Sequence, residues 1–233
     1  FFLNHRYPFN GYEGRHVVEY YLDLLKNAGV SADERQMTLN LTREDECWVD
    51  EFFRSKAVNS QVPLLGISPG GGASWGKDAK FKQWKADSYA KLADKLFENL
   101  KVEIILMGDE KDQHLCQRII DQSRSKIHCV CTLTSIRQFA ALARRCTINI
   151  LNDGGSLHIA VAAGARTVSL FGPVDEHVYG PFPRGGHLVV TNDVLCRPCY
   201  RQFRRAQCEH VSCLEGITVD QVYVQVRNVM CLL

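Results

Sequence analysis

From Val62 onward the chain alternates between two hydrophobic periods, and that alternation leaves few folds open to it. Short apolar, β-branched runs stand at 64–67, 102–107, 127–131, 147–151, 166–170 and 187–191. Between them lie stretches of helical spacing near 87–100, 111–123, 135–144 and 155–163. Strands that are apolar on consecutive residues are covered on both faces, and strands separated by helices run parallel. The pattern therefore predicts an α/β domain built on a doubly wound parallel sheet. Ser135 with Gln138, and Thr218 with Gln221, read as capping boxes that open two helices. The last helix sets Val219, Val222, Tyr223, Val226 and Met230 on one side, a face suited to core packing.

Residues 1–60 read as a helical connector and 61–233 as the domain. Val17, Tyr20, Tyr21, Leu24, Leu25 and Ala28 recur at helical spacing and stop at Gly29, and a second helix is expected from Thr42 to about Phe53. With 233 residues and 45% hydrophobic content the chain can bury a real core. The balance of 28 basic and 26 acidic residues argues against nucleic acid or an acidic membrane surface as partner. No apolar run approaches the roughly 18 residues of a membrane span, and no signal-peptide pattern opens the chain, so the expected location is the cytoplasm. Phe1 stands mid-pattern without a methionine, which suggests a piece of something larger.

In doubly wound sheets ligands sit outside the carboxyl ends of the strands. The loop after 147–151 reads Asn152-Asp153-Gly154-Gly155-Ser156-Leu157-His158 and runs into a small-residue helix. Its glycines turn without a Cβ clash, and the free N–H groups of a helix start suit a phosphate. Asp153 would repel a bare phosphate and fits the hydroxyls of an attached sugar better. The alternative is a structural turn capped by Asp153, with His158 a core histidine. After the first strand, Ser68-Pro69-Gly70-Gly71-Gly72-Ala73-Ser74 offers either close backbone approach to a ligand or a flexible surface loop. Its spacing does not fit a Walker A loop, which argues against nucleotide hydrolysis. Among Lys77, Lys80, Lys82 and Lys85, Lys82 stands out because Trp84 follows as an expected anchor at the entrance of the next helix. Gly108-Asp109-Glu110-Lys111-Asp112 sets acids at a helix start, for the helix dipole or for ribose hydroxyls.

The order of Pro69-Gly70 with Ala73-Ser74, Lys82-Gln83-Trp84, Gly108 to Asp112, Asp153-Gly154-Gly155 to His158, and Phe171-Gly172-Pro173 resembles the carboxy-terminal half of glycosyltransferase family nine, the bacterial heptosyltransferases. The resemblance covers about residues 62–230, and the helical segment before it resembles the family's interdomain connector. It implies a Rossmann-like half of a GT-B architecture that binds a nucleotide-diphosphate sugar, ADP-heptose, for inverting transfer to a lipopolysaccharide core or related glycan. No cofactor is implied for the transfer, and a peripheral position at the inner membrane is compatible with it. By resemblance, Lys82 touches the diphosphate and stabilises the leaving group, Asp112 the ribose, and the backbone of Thr134 the base. Asp153 faces the sugar hydroxyls, and Gly154, Gly155 and the helix start hold the phosphates. Gly70, Gly71, Gly72, Ala73, Ser74 and His158 complete the expected substrate-binding set. The acceptor-side base belongs to an amino-terminal domain expected to be missing, so the chain alone is expected to be inactive. Gly154 in place of the usual serine or threonine, Lys85 in place of a proline, a longer loop before Lys82, and Val174 and Glu176 depart from the family pattern.

Cys196, Cys199, Cys208 and Cys213, separated by gaps of two, eight and four residues, form the second constellation. Two close pairs of thiolates match a four-sulfur zinc shell, and reduced thiols or disulfides fit the same spacing. The four are expected to cluster and to pin the segment before the Thr218 helix, which is about 25 residues long without regular structure. Two rival functions remain: a nucleotide-sugar epimerase of similar two-domain build, and a non-catalytic nucleotide-binding or zinc-stapled interaction module. Epimerases of that kind follow the glycine loop with acidic residues, where this chain has Leu157-His158.

Overall fold

In the computed structural model, which describes residues 7, 11–12, 14–31, 35–201, 203–208 and 210–231, six strands form one parallel sheet. They are β1 (Leu64–Ser68), β2 (Glu103–Leu106), β3 (Ile127–Cys129), β4 (Ile148–Asn152), β5 (Thr167–Phe171) and β6 (His187–Thr191). Their order is β3-β2-β1-β4-β5-β6, which places the reversal of winding between β1 and β4. That is the strand order of the doubly wound dinucleotide-binding fold, whose ligands lie at this switch point.

The helices are α1 (Val17–Asn27), α2 (Arg43–Ser55), α3 (Ala86–Leu100), α4 (Gln113–Gln122), α5 (Ile136–Arg145), α6 (Gly155–Ala162), α7 (Glu176–Tyr179), α8 (Ser212–Glu215) and α9 (Val219–Met230). Successive strand residues point to opposite faces, so each apolar run feeds two cores. Leu65, Ile67, Ile104, Leu106, Ile148 and Ile150 pack on one side under α3, α4 and α9. Ile105, Met107, Leu151 and Phe171 pack on the other under α2, α5 and α6. Both expected capping boxes are formed, at Ser135 and at Thr218. A third, Thr42 with Asp45, opens α2.

Every expected strand and helix of the sheet region is present, with ends displaced by one or two residues. Four short elements have no signal in the hydrophobic pattern because local turns and side-chain anchors create them. These are the 3-10 turns of Ala73–Lys82, kinked at Gly76, the short helices α7 and α8, and an antiparallel hairpin of β7 (Tyr200–Arg201) with β8 (Arg204–Arg205). No helix among the described residues is long and apolar enough to cross a membrane.

Helix α2, within the segment read as a connector, packs against the sheet region. Val49 and Phe52 of α2 are buried in the core shared with Phe139 and Leu142 of α5. Arg144 pairs with Glu46, Arg145 with Asp50 at 2.8 Å, and the Leu39 amide donates to the Ala162 carbonyl at 2.9 Å. Truncating a buried phenylalanine removes its transfer free energy and leaves a cavity. Phe52→Ala should therefore lower unfolding free energy by about 3–5 kcal/mol, read as a lower denaturant midpoint with an unchanged slope. An unchanged midpoint would mean that α2 contributes nothing to this core.

Candidate functional site

Two glycine loops meet where the winding reverses. The loop after β1 carries Gly70 and Gly71, held by close approaches, and Gly72, held by its positive φ. A Cβ on Gly70 would stand 2.3 Å from a carboxylate oxygen of Asp112, and one on Gly71 would stand 2.2 Å from the Ala79 carbonyl oxygen. Gly72 adopts φ +76° and faces the backbone of Gly154, which follows β4. The stretch is a packed turn, so the flexible-loop alternative is set aside.

Asn152, the last residue of β4, ties the two loops together. Its amide nitrogen donates to the Pro69 carbonyl at 2.6 Å and to that of Gly70 at 3.3 Å. Its amide oxygen accepts from the Tyr89 hydroxyl at 3.0 Å. Both side chains are fully buried, and burial pushes the Tyr89 phenol well above its ordinary range, which keeps it a donor.

A cavity of about 360 Å³ opens between these loops. Of the expected residues, Gly70, Gly72, Asp112, Thr134 and Gly155 line it. Ile136, Phe139 and Ile159 supply an apolar wall that the motif reading missed, since they also belong to ordinary helix faces. Helix α6 starts at Gly155 with no side chain capping it, so its first amides are left for another acceptor. Asp153 is therefore not the cap of that turn. Asp112 accepts from the Asp109 amide at 3.3 Å in a capping box, and burial raises its carboxyl above the usual range.

Lys82 and Asp153 bind each other. The ammonium stands 2.8 Å from an Asp153 carboxylate oxygen, and the two side chains are 6% and 7% exposed. The ammonium also lies 4.9 Å from the centre of the Trp75 ring. Trp84 anchors this segment as expected: its ring is buried edge-on to Tyr89 at 5.0 Å, and its indole N–H donates to the Ile217 carbonyl at 3.0 Å. Neither Lys82 nor Asp153 lines the 360 Å³ cavity, and neither do Gly71, Ser74, Gly154 and His158, while the side chain of Ala73 lies outside the described residues. His158, on the first turn of α6, is half-buried; burial lowers its pKa, with the nearby Asp153 charge acting in the opposite direction.

The four late cysteines line one cavity of about 10 Å³, room for a single water-sized sphere. They are free thiols, and among the described residues no three His, Cys, Asp or Glu side chains group closely enough to hold a metal ion. Other contacts pin this segment. Arg197 donates to the Gly172 carbonyl at 2.7 Å and to Glu176 at 2.6 Å, while the Cys199 and Tyr200 amides both donate to the Pro173 carbonyl at 3.0 Å. The Arg205 guanidinium covers the Phe81 ring at 3.8 Å.

The model of glycosyltransferase family 9 (heptosyltransferase) matches residues 1–210. Lipooligosaccharide heptosyltransferase 2 of Campylobacter jejuni is 25% identical over 226 residues, 95% of this chain and 66% of that protein. Lipopolysaccharide heptosyltransferase 2 of Salmonella typhimurium is 31% identical over 121 residues, 50% of this chain and 33% of that protein. Among solved structures, a family 9 glycosyl transferase of Veillonella parvula superposes with a TM-score of 0.82 at 22% identity, covering 97% of this chain and 63% of that one. An ADP-heptose lipopolysaccharide heptosyltransferase II of E. coli gives 0.66 at 20% identity, covering 84% and 54%. The chain thus spans just under two thirds of the length of the Campylobacter relative.

Removing one partner of a buried ion pair leaves an uncompensated charge, whereas removing both leaves none. Asp153→Ala should cost about 3–5 kcal/mol of stability, and the double variant Asp153→Asn with Lys82→Met should recover most of that loss. Chemical denaturation of the three proteins checks this, and an Asp153→Ala protein as stable as the parent would show that the pair is hydrated.

Proposed function

The chain belongs to glycosyltransferase family 9, and on that premise we propose that it binds the nucleotide-diphosphate donor, ADP-heptose, for inverting transfer to a lipopolysaccharide core or related glycan. The observation that carries this reading is the cavity at the β1/β4 switch point, where two glycine loops, Asp112 and the uncapped start of α6 converge. In this assignment the amides of Gly155 and Ser156 take the phosphates, Asp112 takes ribose hydroxyls, and the base lies against Thr134, Ile136, Phe139 and Ile159. The family membership disfavours both the epimerase and the non-catalytic nucleotide-binding or zinc-stapled module.

Transfer breaks the bond between the anomeric carbon and the diphosphate oxygen as an acceptor hydroxyl attacks from the opposite face. The electron pair passes to the nucleotide, so positive charge at the phosphates stabilises the transition state. Lys82 suits that role without abandoning Asp153. An ammonium has three N–H donors, and its 2.8 Å contact with Asp153 is an ion pair whose carboxylate oxygen takes no hydrogen bond among the described residues. The reading assigns stabilisation to Lys82 and backbone amides, with no cofactor. The acceptor site and the base that removes its proton are assigned to the remainder of a GT-B architecture, outside the two thirds of the family length represented here. The proposed place of work is the cytoplasm, peripheral to the inner membrane.

Titration calorimetry with ADP should show one site. Lys82→Ala should weaken ADP by about 1–3 kcal/mol, roughly fivefold to 150-fold, while leaving adenosine unchanged. Equal ADP affinity in the variant and the parent would remove Lys82 from the site.

A further inference from the structure

Beside the Lys82–Asp153 pair, away from the nucleotide cavity, a row of aromatic rings stands at the surface. Trp75, whose ring already lies against the Lys82 ammonium, packs on Tyr200 with ring centres 4.8 Å apart. Tyr200 meets Tyr179 at 6.0 Å, and Tyr179 meets Tyr12 at 6.1 Å. Trp75, Tyr179 and Tyr200 are all half-buried, in contrast to Trp84 and Phe171, which the core takes in completely. Burial and then the Asp153 charge raise the Tyr200 phenol, and burial and then its tyrosine neighbours, Tyr200 first, raise that of Tyr179. Between Tyr12, Tyr179 and Tyr200 opens a cavity of about 180 Å³ whose rim carries Asp175 and Arg201.

We propose that Trp75, Tyr179 and Tyr200 form a wall that binds a sugar ring next to the Lys82–Asp153 pair. A sugar ring has an apolar C–H face and an edge of hydroxyls. Half-exposed aromatic rings cover the first, and phenol, carboxylate and guanidinium groups bond the second. The cysteine-rich segment acquires a role in this arrangement, because it delivers Tyr200. The Tyr200 amide is bonded to Pro173, Arg197 fixes the preceding turn to Gly172 and Glu176, and pairing of β7 with β8 orients the strand. The proposal rests on the donor-binding reading only for which sugar is meant: the donor's own ring, or a ring of the acceptor glycan.

The test compares ADP, ADP-heptose and a free lipopolysaccharide core oligosaccharide as ligands of the full chain, its Tyr200→Ala variant and its Tyr200→Phe variant. A donor-borne ring predicts that Tyr200→Ala weakens ADP-heptose about tenfold and leaves ADP within twofold. An acceptor-borne ring predicts the same loss for the oligosaccharide, with both nucleotides unaffected. In either case Tyr200→Phe, which keeps the ring face, retains most of the affinity. Should Tyr200→Ala melt below the parent, Tyr200→Leu, which fills more of the space without an aromatic face, takes its place. Equal sugar affinities in the parent and in Tyr200→Ala overturn the wall, as does a loss of ADP affinity equal to that of ADP-heptose. If the parent binds the oligosaccharide through Tyr200 but does not bind ADP, the donor reading falls and the wall stands. Absence of binding by both sugar ligands to the parent removes the wall.

Discussion

The site depends on one buried amide. Asn152 closes β4 and reaches across the switch point to hold the Pro69 and Gly70 carbonyls, while Tyr89 from α3 fixes its orientation. Adjacent parallel strands leave a gap between their carboxyl ends, and the chain leaves β1 and β4 toward different helices. Nothing in sheet geometry alone obliges their following loops to touch. The Asn152 side chain supplies that constraint; the missing Cβ atoms of Gly70 and Gly71 make room for the Asp112 carboxylate and the Ala79 carbonyl, and Gly72, at φ +76°, turns to face the Gly154 backbone. A side chain in place of any one of Gly70 or Gly71 would strike an oxygen and separate the pieces that shape the cavity.

This explains which part of the molecule was legible beforehand. The sheet follows from apolar runs and their spacing, because burial on two faces leaves a periodic trace in the residues. The glycine loops follow from their place after strands. The roles of individual side chains were less legible. Lys82 and Asp153 are separated by a long stretch of chain, and only folding shows that they form an ion pair. Tyr89 and Ile159 carry the ordinary spacing of helix faces, so their placement beneath and beside the cavity leaves no distinct signature. The cysteine motif was conspicuous by spacing. In the fold its thiols line a small cavity, and the contacts that pin the segment come from Arg197, Arg205 and backbone amides.

The electrostatics of the cleft follow from the same packing. An unpaired ammonium buried as deeply as Lys82 would lose its hydration with no return, and Asp153 supplies the compensation. Asp112 pays part of its desolvation through the Asp109 amide, and burial still raises its carboxyl. The Lys82–Asp153 pair is therefore neutral as a unit, while the charged residues that line the cavity, Asp109 and Asp112, are both acidic. Long-range attraction of anions contributes little in such a case, because no strong field extends beyond the pair.

On the donor-binding reading proposed above, selectivity must then come from fixed geometry at close range. Backbone amides at the start of α6 do not titrate, and their position is set by the contact of Gly154 with the loop after β1. Lys82 adds a charge whose direction is fixed by Asp153 on one side and by the Trp75 ring on another. The 360 Å³ cavity has the apolar wall of Ile136, Phe139 and Ile159, and the aromatic row runs from Trp75, which touches the Lys82 ammonium, through Tyr200 to Tyr179. On the donor-binding reading, the negative charge of a nucleotide-diphosphate sugar meets Lys82, the only buried ammonium among the described residues, and the uncapped start of α6, while its sugar ring meets the aromatic row that Trp75 joins to that ammonium.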